Sequence, residues 1–200
     1  MTVLVGKPAP DFKAAVVFGD NQIQEDFQFF NHIKGKAAVL FFYPMDFTFV
    51  CPSEIIAFNN RLDDFESRQV EVIAVSIDSQ FTHLAWKNTP IKDGGIGQVQ
   101  LIMVADVKRT IMHSYGIESA EGVAFRASFL IDKQGIVRHQ VVNDLPLGRN
   151  VDEMIRMVDA LQFYEENGEV CPAGWQKGDA GMVPTNEGVA QYLAMHSQVL

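Results

Sequence analysis

Apolar and polar residues follow one another along the chain in blocks that predict strands and helices. Residues 37–43 (AAVLFFY) and 70–77 (VEVIAVSI) are apolar almost throughout, as expected for central strands that are covered on both faces. Residues 128–132 and 136–142 are also strand-like, and Lys133-Gln134-Gly135 between them predicts a hairpin turn.

Between the first two strands the apolar residues take a helical spacing. They lie three, four and three positions apart, the stripe of an amphipathic helix that begins near 51–53. These residues are Ile55, Phe58, Leu62 and Phe65. A second helix is predicted to begin near Asn150, which can cap it, with Glu153 three residues later. Its apolar face comprises Val151, Met154, Ile155, Val158 and Leu161. Shorter helices are expected near 80–88 and 106–114.

The order of these elements predicts the fold class and the domains. A strand, a helix and a second strand indicate an α/β core, and the later hairpin adds antiparallel strands to a mixed sheet. After Gly168, glycines and prolines interrupt the chain, and only 189–196 (VAQYLAMH) has a helical pattern. We therefore expect one domain over 1–165. A C-terminal arm over 166–200 would belong to the same structural unit, because it cannot fold alone and must pack on the domain or on a neighbouring subunit.

Charge and composition narrow the partners and the location. The net charge is −9 and the pI is about 4.9. No cluster of Lys or Arg stands out, which argues against binding to nucleic acid or to an anionic membrane. The N-terminus lacks the pattern of a secretory signal, and no apolar stretch approaches the roughly 18 residues of a membrane span. Two cysteines are too few for a secreted disulfide scaffold. We expect a cytoplasmic protein with reduced thiols.

Cys51 is predicted at the cap of the first helix, after the end of the strand over 37–43. Pro52 then falls in the first helical turn, where its missing N–H does no harm. Unpaired backbone N–H groups and the positive end of the helix dipole favour an anion there. The sequence therefore predicts a stabilised thiolate. The alternative is a small buried apolar residue, the usual role of a free cysteine. The helix start, the preceding loop and the nearby Thr48 favour the thiolate.

Motifs along the whole chain resemble those of one enzyme family. The motif Pro44-x-x-x-Thr48-x-x-Cys51 is similar to the active-site signature of the peroxiredoxins. Five segments resemble those of the typical two-cysteine members, in the same order: FFYPMDFTFVCPSEI (41–55), GGIG (94–97), RASFLID (126–132), PLGRN (146–150) and GEVCPAGW (168–175). The resemblance implies a thioredoxin-like fold with an N-terminal extension, in agreement with the α/β pattern.

The resemblance also implies roles for the residues around Cys51. Cys51 corresponds to the peroxidatic nucleophile. Thr48 would hydrogen-bond both the thiolate and the incoming peroxide. Pro44 would shield the nascent sulfenic acid from a second attack. The alternative for Thr48 is an ordinary loop residue.

Three charged residues complete the implied site. Arg126 corresponds to the active-site arginine of the family, a permanent cation that stabilises the thiolate and the charge developing across the O–O bond. Glu54 and Arg149 would hold Arg126 in place. Their alternatives are a helix-dipole charge for Glu54 and a surface role for each arginine.

Cys171 corresponds to the resolving cysteine. The resemblance implies that it comes from the partner chain and condenses with the Cys51 sulfenic acid to form an intersubunit disulfide. The dimers are then expected to assemble into a decamer. A spare thiol on the arm is the alternative.

The function implied is a thiol-dependent peroxidase that reduces hydrogen peroxide or organic hydroperoxides without a metal, flavin or haem. Its electrons would come from thioredoxin or from a dedicated flavoprotein disulfide reductase. The longer tail after Cys171, with Trp175 and VAQYL, resembles that of the members served by thioredoxin. The alternative functions are an oxidation-dependent holdase chaperone and a peroxide-sensing redox relay. In members sensitive to over-oxidation, a Gly-Gly-Leu-Gly loop and a Tyr-Phe pair on the last helix slow disulfide formation. This chain has GGIG at 94–97 and Tyr192 followed by Leu193, which predicts intermediate sensitivity.

Overall fold

The computed structural model describes residues 3–198 and contains a seven-stranded sheet. The strands are β1 (Lys13–Val17), β2 (Ile23–Gln28), β3 (Ala37–Phe42), β4 (Val70–Ser76), β5 (Ile102–Ala105), β6 (Arg126–Ile131) and β7 (Val137–Asn143). The helices are α1 (Phe29–His32), α2 (Cys51–Asn59), α3 (Leu62–Glu66), α4 (Gln80–Asn88), α5 (Thr110–Ser114), α6 (Val151–Asn167) and α7 (Asn186–His196), and Ile91–Asp93 form a 3-10 helix.

The sheet is mixed, as predicted, and its order is β2-β1-β5-β4-β3-β6-β7. Strands β3, β4 and β5 run parallel, whereas β6 is antiparallel to β3, and β7 to β6. The predicted hairpin turn is confirmed: Gly135 has φ +80°, and its N–H donates to Asp132 O at 2.9 Å. A positive φ of this size suits glycine, which has no Cβ to clash.

Strand β3 lies inside the sheet, and each of its six residues is buried. Leu40 and Phe42 belong to the main apolar cluster. Phe41 points to the opposite face, because successive strand side chains alternate. There its ring stacks on Phe58 of α2, with centroids 4.2 Å apart. Burying one such ring contributes about 2 kcal/mol, so this pair helps to hold α2 against the end of β3.

The helical stripe predicted between β3 and β4 is divided between two helices. Helix α2 ends at Asn59 and α3 begins at Leu62, because Arg61 has φ −114° and ψ 12°, outside the helical range. The side chain of Asn59 accepts a hydrogen bond from Gln100 N at 2.7 Å, which ties the end of α2 to the loop before β5. The apolar stripe continues across the break, since Phe58 and Phe65 are both buried.

A second difference concerns the helix expected at 106–114. Helix α5 begins only at Thr110. The carboxylate of Asp106 accepts hydrogen bonds from Ile111 N (3.1 Å) and Met112 N (2.8 Å), and Arg109 has φ +60°. The chain before α5 is therefore a turn that is closed by an acidic side chain, which satisfies N–H groups at the start of the helix.

The chain divides into two compact units, Met1–Val151 and Asp152–Leu200. The first contains the whole sheet, and the second contains nearly all of α6 and the residues after it. The proposed limits 1–165 and 166–200 stay a prediction. Within residues 3–198, none of the helices is both long enough and apolar enough to cross a bilayer.

In the second unit, the segment after Gly168 packs on α6. The ring of Trp175 lies 4.8 Å from that of Phe163, and Arg156 Nη1 donates to Trp175 O at 2.8 Å. Lys177 Nζ lies 3.6 Å from Asp159 Oδ1. The glycine-rich segment thus gains its order from contacts with a helix rather than from a core of its own.

Candidate active site

Cys51 is the first residue of α2, and its side chain is completely buried. Strand β3 ends at Phe42, and residues 43–50 form the loop that leads into the helix. Val50, not Cys51, is the N-cap residue, so Cys51 lies one position later than predicted, while Pro52 lies in the first turn as predicted. As the first residue of α2, Cys51 lies at the positive end of the helix dipole, and no side chain of the N-cap residue binds the N–H groups of the first turn.

Thr48 reaches Cys51 from the same loop. Its Oγ1 lies 2.9 Å from Cys51 Sγ and 2.8 Å from the carbonyl oxygen of Met45. A hydroxyl has one proton to donate and two lone pairs. When the hydroxyl donates to Met45 O, its lone pair can accept the proton of a Cys51 thiol. When it donates to the sulfur instead, it stabilises a thiolate.

Arg126, the first residue of β6, brings a buried cation to the sulfur. Its Nη1 donates to Cys51 Sγ at 3.3 Å and to Glu54 Oε2 at 2.8 Å. Its Nε donates to Leu145 O at 2.5 Å. Burial works against the charge of Arg126, but its hydrogen bond and charge interaction with Cys51 and with Glu54 outweigh this effect and raise its pKa. The guanidinium therefore stays charged beside the sulfur.

Glu54 and Arg149 form the support of this cation. Glu54 lies in the first turn of α2 and is buried. Its Oε1 accepts from Arg149 Nε (2.8 Å) and Arg149 N (3.0 Å), and its Oε2 accepts from Arg149 Nη2 (2.9 Å) as well as from Arg126. Such bidentate charge-assisted pairs fix geometry as well as energy.

Arg149 also binds the backbone of two neighbouring strands. Its Nη1 donates to Phe42 O at 2.6 Å and to Ala127 O at 2.7 Å, and its guanidinium lies 5.2 Å from the ring centroid of Phe41. Burial lowers the pKa of Arg149, and the charge of Glu54 opposes this shift. Two guanidinium groups and one carboxylate leave one excess positive charge, which an anionic Cys51 sulfur would balance.

The structure thus brings five of the residues singled out in the sequence into direct contact. They are Thr48, Cys51, Glu54, Arg126 and Arg149. Pro44 is buried on the loop that contains Thr48. Cys171 lies in the second unit, where its Sγ donates to Ala160 O at 3.4 Å. Burial raises the pKa of Cys171, and the charge of Arg156 opposes this shift.

Two side chains next to this site were missed in the sequence. Asp46, on the loop 43–50, and His83, on α4, are both buried and in contact, with Oδ2 and Nδ1 2.7 Å apart. An acidic residue inside the apolar run YPMDF was the available signal for Asp46, because such a residue is buried only when it has a partner. His83 had no comparable signal.

Comparison with known proteins identifies the family. The model of the AhpC/TSA family matches residues 5–140, and that of the C-terminal domain of 1-Cys peroxiredoxin matches residues 160–194. The chain belongs to the AhpC/TSA family, the peroxiredoxins.

Individual peroxiredoxins are similar over nearly the whole chain. Alkyl hydroperoxide reductase C of Helicobacter pylori is 57% identical over 195 residues, which cover 98% of each protein. Peroxiredoxin-2 of Macaca fascicularis is 51% identical, over 96% of each protein. The solved structure of reduced 2-Cys peroxiredoxin from Plasmodium vivax has a TM-score of 0.93 at 50% identity, with 96% of this chain and 100% of that chain covered. The expected thioredoxin-like peroxiredoxin fold is therefore confirmed, and the protein is an oxidoreductase of the thiol-dependent peroxidase class.

Proposed function

We propose that this peroxiredoxin reduces hydrogen peroxide and organic hydroperoxides at Cys51, and that Cys171 of the partner subunit completes the cycle. The observation that carries the proposal is the position of Cys51 Sγ, 2.9 Å from Thr48 Oγ1 and 3.3 Å from Arg126 Nη1. A hydroxyl and a permanent cation beside one buried sulfur are what a thiolate needs to split a peroxide bond.

In the first step the Cys51 thiolate attacks one oxygen of the peroxide, ROOH. The S–O bond forms as the O–O bond breaks, which leaves Cys51 as a sulfenic acid and releases RO⁻, which takes up a proton. Arg126 stabilises the charge that moves from sulfur to the leaving oxygen. The Thr48 hydroxyl orients the peroxide, and Pro44 keeps water and a second peroxide away from the new sulfenic acid.

In the second step Cys171 of the partner subunit attacks the sulfenic sulfur. An S–S bond forms and hydroxide leaves, which becomes water with the proton of the Cys171 thiol. A dithiol protein then returns the disulfide to two thiols and becomes oxidised itself. We infer that this reductant is thioredoxin or a dedicated flavoprotein disulfide reductase.

Peroxide-dependent NADPH oxidation tests the reaction and the reductant together. One arm contains thioredoxin and its reductase, and the other a flavoprotein disulfide reductase. We expect turnover with at least one of them, none with Cys51→Ser, and a single equivalent of peroxide consumed by Cys171→Ser. Serine keeps the size of the residue but lacks the nucleophilic sulfur. Turnover by Cys51→Ser near the parent rate would overturn the assignment.

The same proposal includes assembly and location. The peroxiredoxin forms homodimers through which the two cysteines meet, and the dimers form a ring of ten chains. We place it in the cytoplasm, where reductants keep thiols available for the cycle. Exposed aromatic side chains in the first unit support association: Phe47 is 51% and Phe49 98% exposed.

A further inference from the structure

Asp46, on the loop that carries Thr48, and His83, on α4, form a buried hydrogen-bonded contact. His83 is fully buried, and Asp46 is 4% exposed. His83 Nδ1 lies 2.7 Å from Asp46 Oδ2, and His83 Nε2 lies 3.2 Å from Val104 O. The hydroxyl of Tyr43 donates to Asp46 Oδ1 at 2.7 Å. Each polar atom of the two side chains therefore has a partner.

The partners determine where the protons lie. Val104 O can only accept a hydrogen bond, so Nε2 of His83 carries a proton. The Nδ1–Oδ2 contact needs one proton between its two atoms, and the Tyr43 proton already occupies Oδ1. The pair thus holds a single shared proton and has no net charge, whichever atom binds it. A neutral pair with every group satisfied can be buried without leaving an isolated charge.

The pair fixes the backbone from which Thr48 projects. Asp46 follows Met45, whose carbonyl oxygen is the partner of Thr48 Oγ1 at 2.8 Å. The N–H of Asp46 donates to Asp78 Oδ2 at 2.8 Å, and Ser76 Oγ donates to the same oxygen at 2.8 Å. The loop is therefore tied to the end of β4 by its backbone and to α4 by its side chain.

We propose that His83 is a positioning residue for the peroxide reaction, which acts through Asp46 to hold Thr48 Oγ1 at Cys51 Sγ. This inference rests on the proposed roles of Cys51 and Thr48. His83 touches neither the sulfur nor the peroxide. It supplies the hydrogen bond that keeps the loop 43–50 in the conformation in which one hydroxyl serves both Met45 O and the sulfur.

Substitutions at Asp46 and His83 separate the effect of losing the hydrogen bonds of the pair from the effect of losing the carboxylate. Asp46→Asn can accept from Tyr43 through Oδ1 and donate through Nδ2 to His83 Nδ1, so all the contacts are kept. Asp46→Ala and His83→Asn lose them, because alanine has no polar group and asparagine is too short to span Asp46 and Val104 O. The second-order rate constant for peroxide is measured by stopped flow in a Cys171→Ser background. We expect Asp46→Asn to keep most of the parent rate, and the other two to be slower by about tenfold.

His113→Asn is the matched control. His113 Nδ1 also lies 2.7 Å from a carboxylate, that of Glu118, but its side chain is 76% exposed and distant in sequence from the loop 43–50. The control should leave the peroxide rate unchanged. A loss equal to that of His83→Asn would show that the assay reports general destabilisation, and would overturn the inference.

A double-mutant cycle with Thr48→Val tests whether His83 acts through Thr48. If it does, His83→Asn slows the parent but adds little once the Thr48 hydroxyl is gone. Tyr43→Phe is run in the same cycle. It removes only the hydroxyl that is bonded to Asp46, and it replaces His83→Asn in the test if that variant does not fold. Effects that simply add in both cycles would overturn the positioning role. Failure of the proposed function would look different, as parent protein without Cys51-dependent peroxide consumption.

Discussion

One nitrogen of Arg126 contacts both the sulfur of Cys51 and the carboxylate of Glu54. Its Nη1 lies 3.3 Å from Cys51 Sγ and 2.8 Å from Glu54 Oε2, and the side chain is 5% exposed. The shorter contact is with Glu54, which orients the guanidinium, while the longer contact leaves the sulfur free to move towards an oxygen atom. If Arg126 acts on the reacting atoms as proposed, its loss should affect the reaction with peroxide directly.

Arg126→Ala is expected to slow the reaction of Cys51 with peroxide by at least about a hundredfold, because both the thiolate and the developing oxyanion lose a charged donor. Arg126→Lys keeps the charge but not the planar set of donors, so its rate with peroxide should lie between those of the parent and Arg126→Ala. Stopped-flow measurement of peroxide consumption checks both variants. An unaltered rate in Arg126→Ala would make this residue purely structural.

Arg138→Ala is the control for that experiment. Arg138 lies on the adjacent strand β7 and pairs with Asp132 at 2.6 Å, but its side chain is 46% exposed. It should leave the peroxide rate constant at the parent value. Asp132 is buried, but it keeps its hydrogen bonds from Gln134 N and Ile136 N, so the variant should also remain folded.

Lys87 provides a pH-dependent prediction. It is fully buried in α4, and its Nζ donates to Phe18 O (2.5 Å) and Gly19 O (3.1 Å). Burial lowers the pKa of Lys87 to about 8. Between this value and the unfolded value of about 10.4, the unfolded chain binds more protons than the folded one. The free energy of unfolding should therefore rise with pH across that window and fall as the pH drops through about 8.

Urea unfolding at several pH values checks this effect in Lys87→Met, with both cysteines replaced by serine to remove thiol titration. The rise of stability between about pH 8 and 10 should be smaller in Lys87→Met than in its parent. The exposed Lys92 supplies the comparison, and Lys92→Met should keep the parent slope. Equal slopes in all three proteins would show that Lys87 has no depressed pKa.

At the residue level, the sequence identified the groups that form a motif. Thr48 and Cys51 lie three positions apart at a helix start, and Arg126 and Arg149 lie in segments that resemble the family. Asp46 and His83 were missed because their pairing depends on the packing of α4 against the sheet. No local pattern reports a contact between positions 37 apart in the chain.

At the level of elements, strongly patterned segments were predictable and weakly patterned ones were not. Strand β3 is a continuous apolar run and β4 is apolar except for Glu71 and Ser76, and both were predicted to within about two residues. The strands β1, β2 and β5 were not predicted. Strands β1 and β2 lie at one side of the sheet, and β2 has three exposed residues among its six. Strand β5 is apolar but has only four residues. The break between α2 and α3 depends on the backbone of Arg61, which no glycine or proline announces.

Helix α7 provides the prediction at this scale. Within its own unit it leaves Leu193 43% and Met195 73% exposed, and the Tyr192 ring stacks on His196 with centroids 4.4 Å apart. If this helix slows local opening of α2, deletion from Val189 onward should speed disulfide formation by on the order of threefold and increase resistance to sulfinic acid.

Leu193→Phe, which introduces an aromatic ring after Tyr192, should have the opposite effect and make the enzyme more sensitive to over-oxidation of Cys51 than the parent. Mass spectrometry of Cys51 during turnover at high peroxide measures sulfinic acid, and quenched-flow gels measure the disulfide. If truncation leaves both quantities unchanged, α7 is not a brake and serves assembly alone.

At the scale of the whole molecule, the two cysteines lie in different compact units, Cys51 in the first and Cys171 in the second. We expect oxidised protein to run as a disulfide-linked dimer on non-reducing gels, with Cys51 joined to Cys171 of the partner subunit. Peptide mapping of mixed light and heavy isotope-labelled chains distinguishes this bond from one within a chain. Reduced protein should sediment as a ring of five dimers, and a stable monomer at micromolar concentration in both redox states would contradict this assembly.

The four donors that converge on Glu54 also limit which substitutions this site can tolerate in evolution. Glutamine in its place would offer one acceptor oxygen where two are used, and would turn an amide towards two guanidinium groups. Arg126 and Arg149 would then repel each other in a buried space. A lineage cannot lose the carboxylate first and adjust its partners later, so substitutions at these three positions should appear together or not at all. In an alignment of relatives, position 54 should covary with 126 and 149 more strongly than with its neighbours in α2.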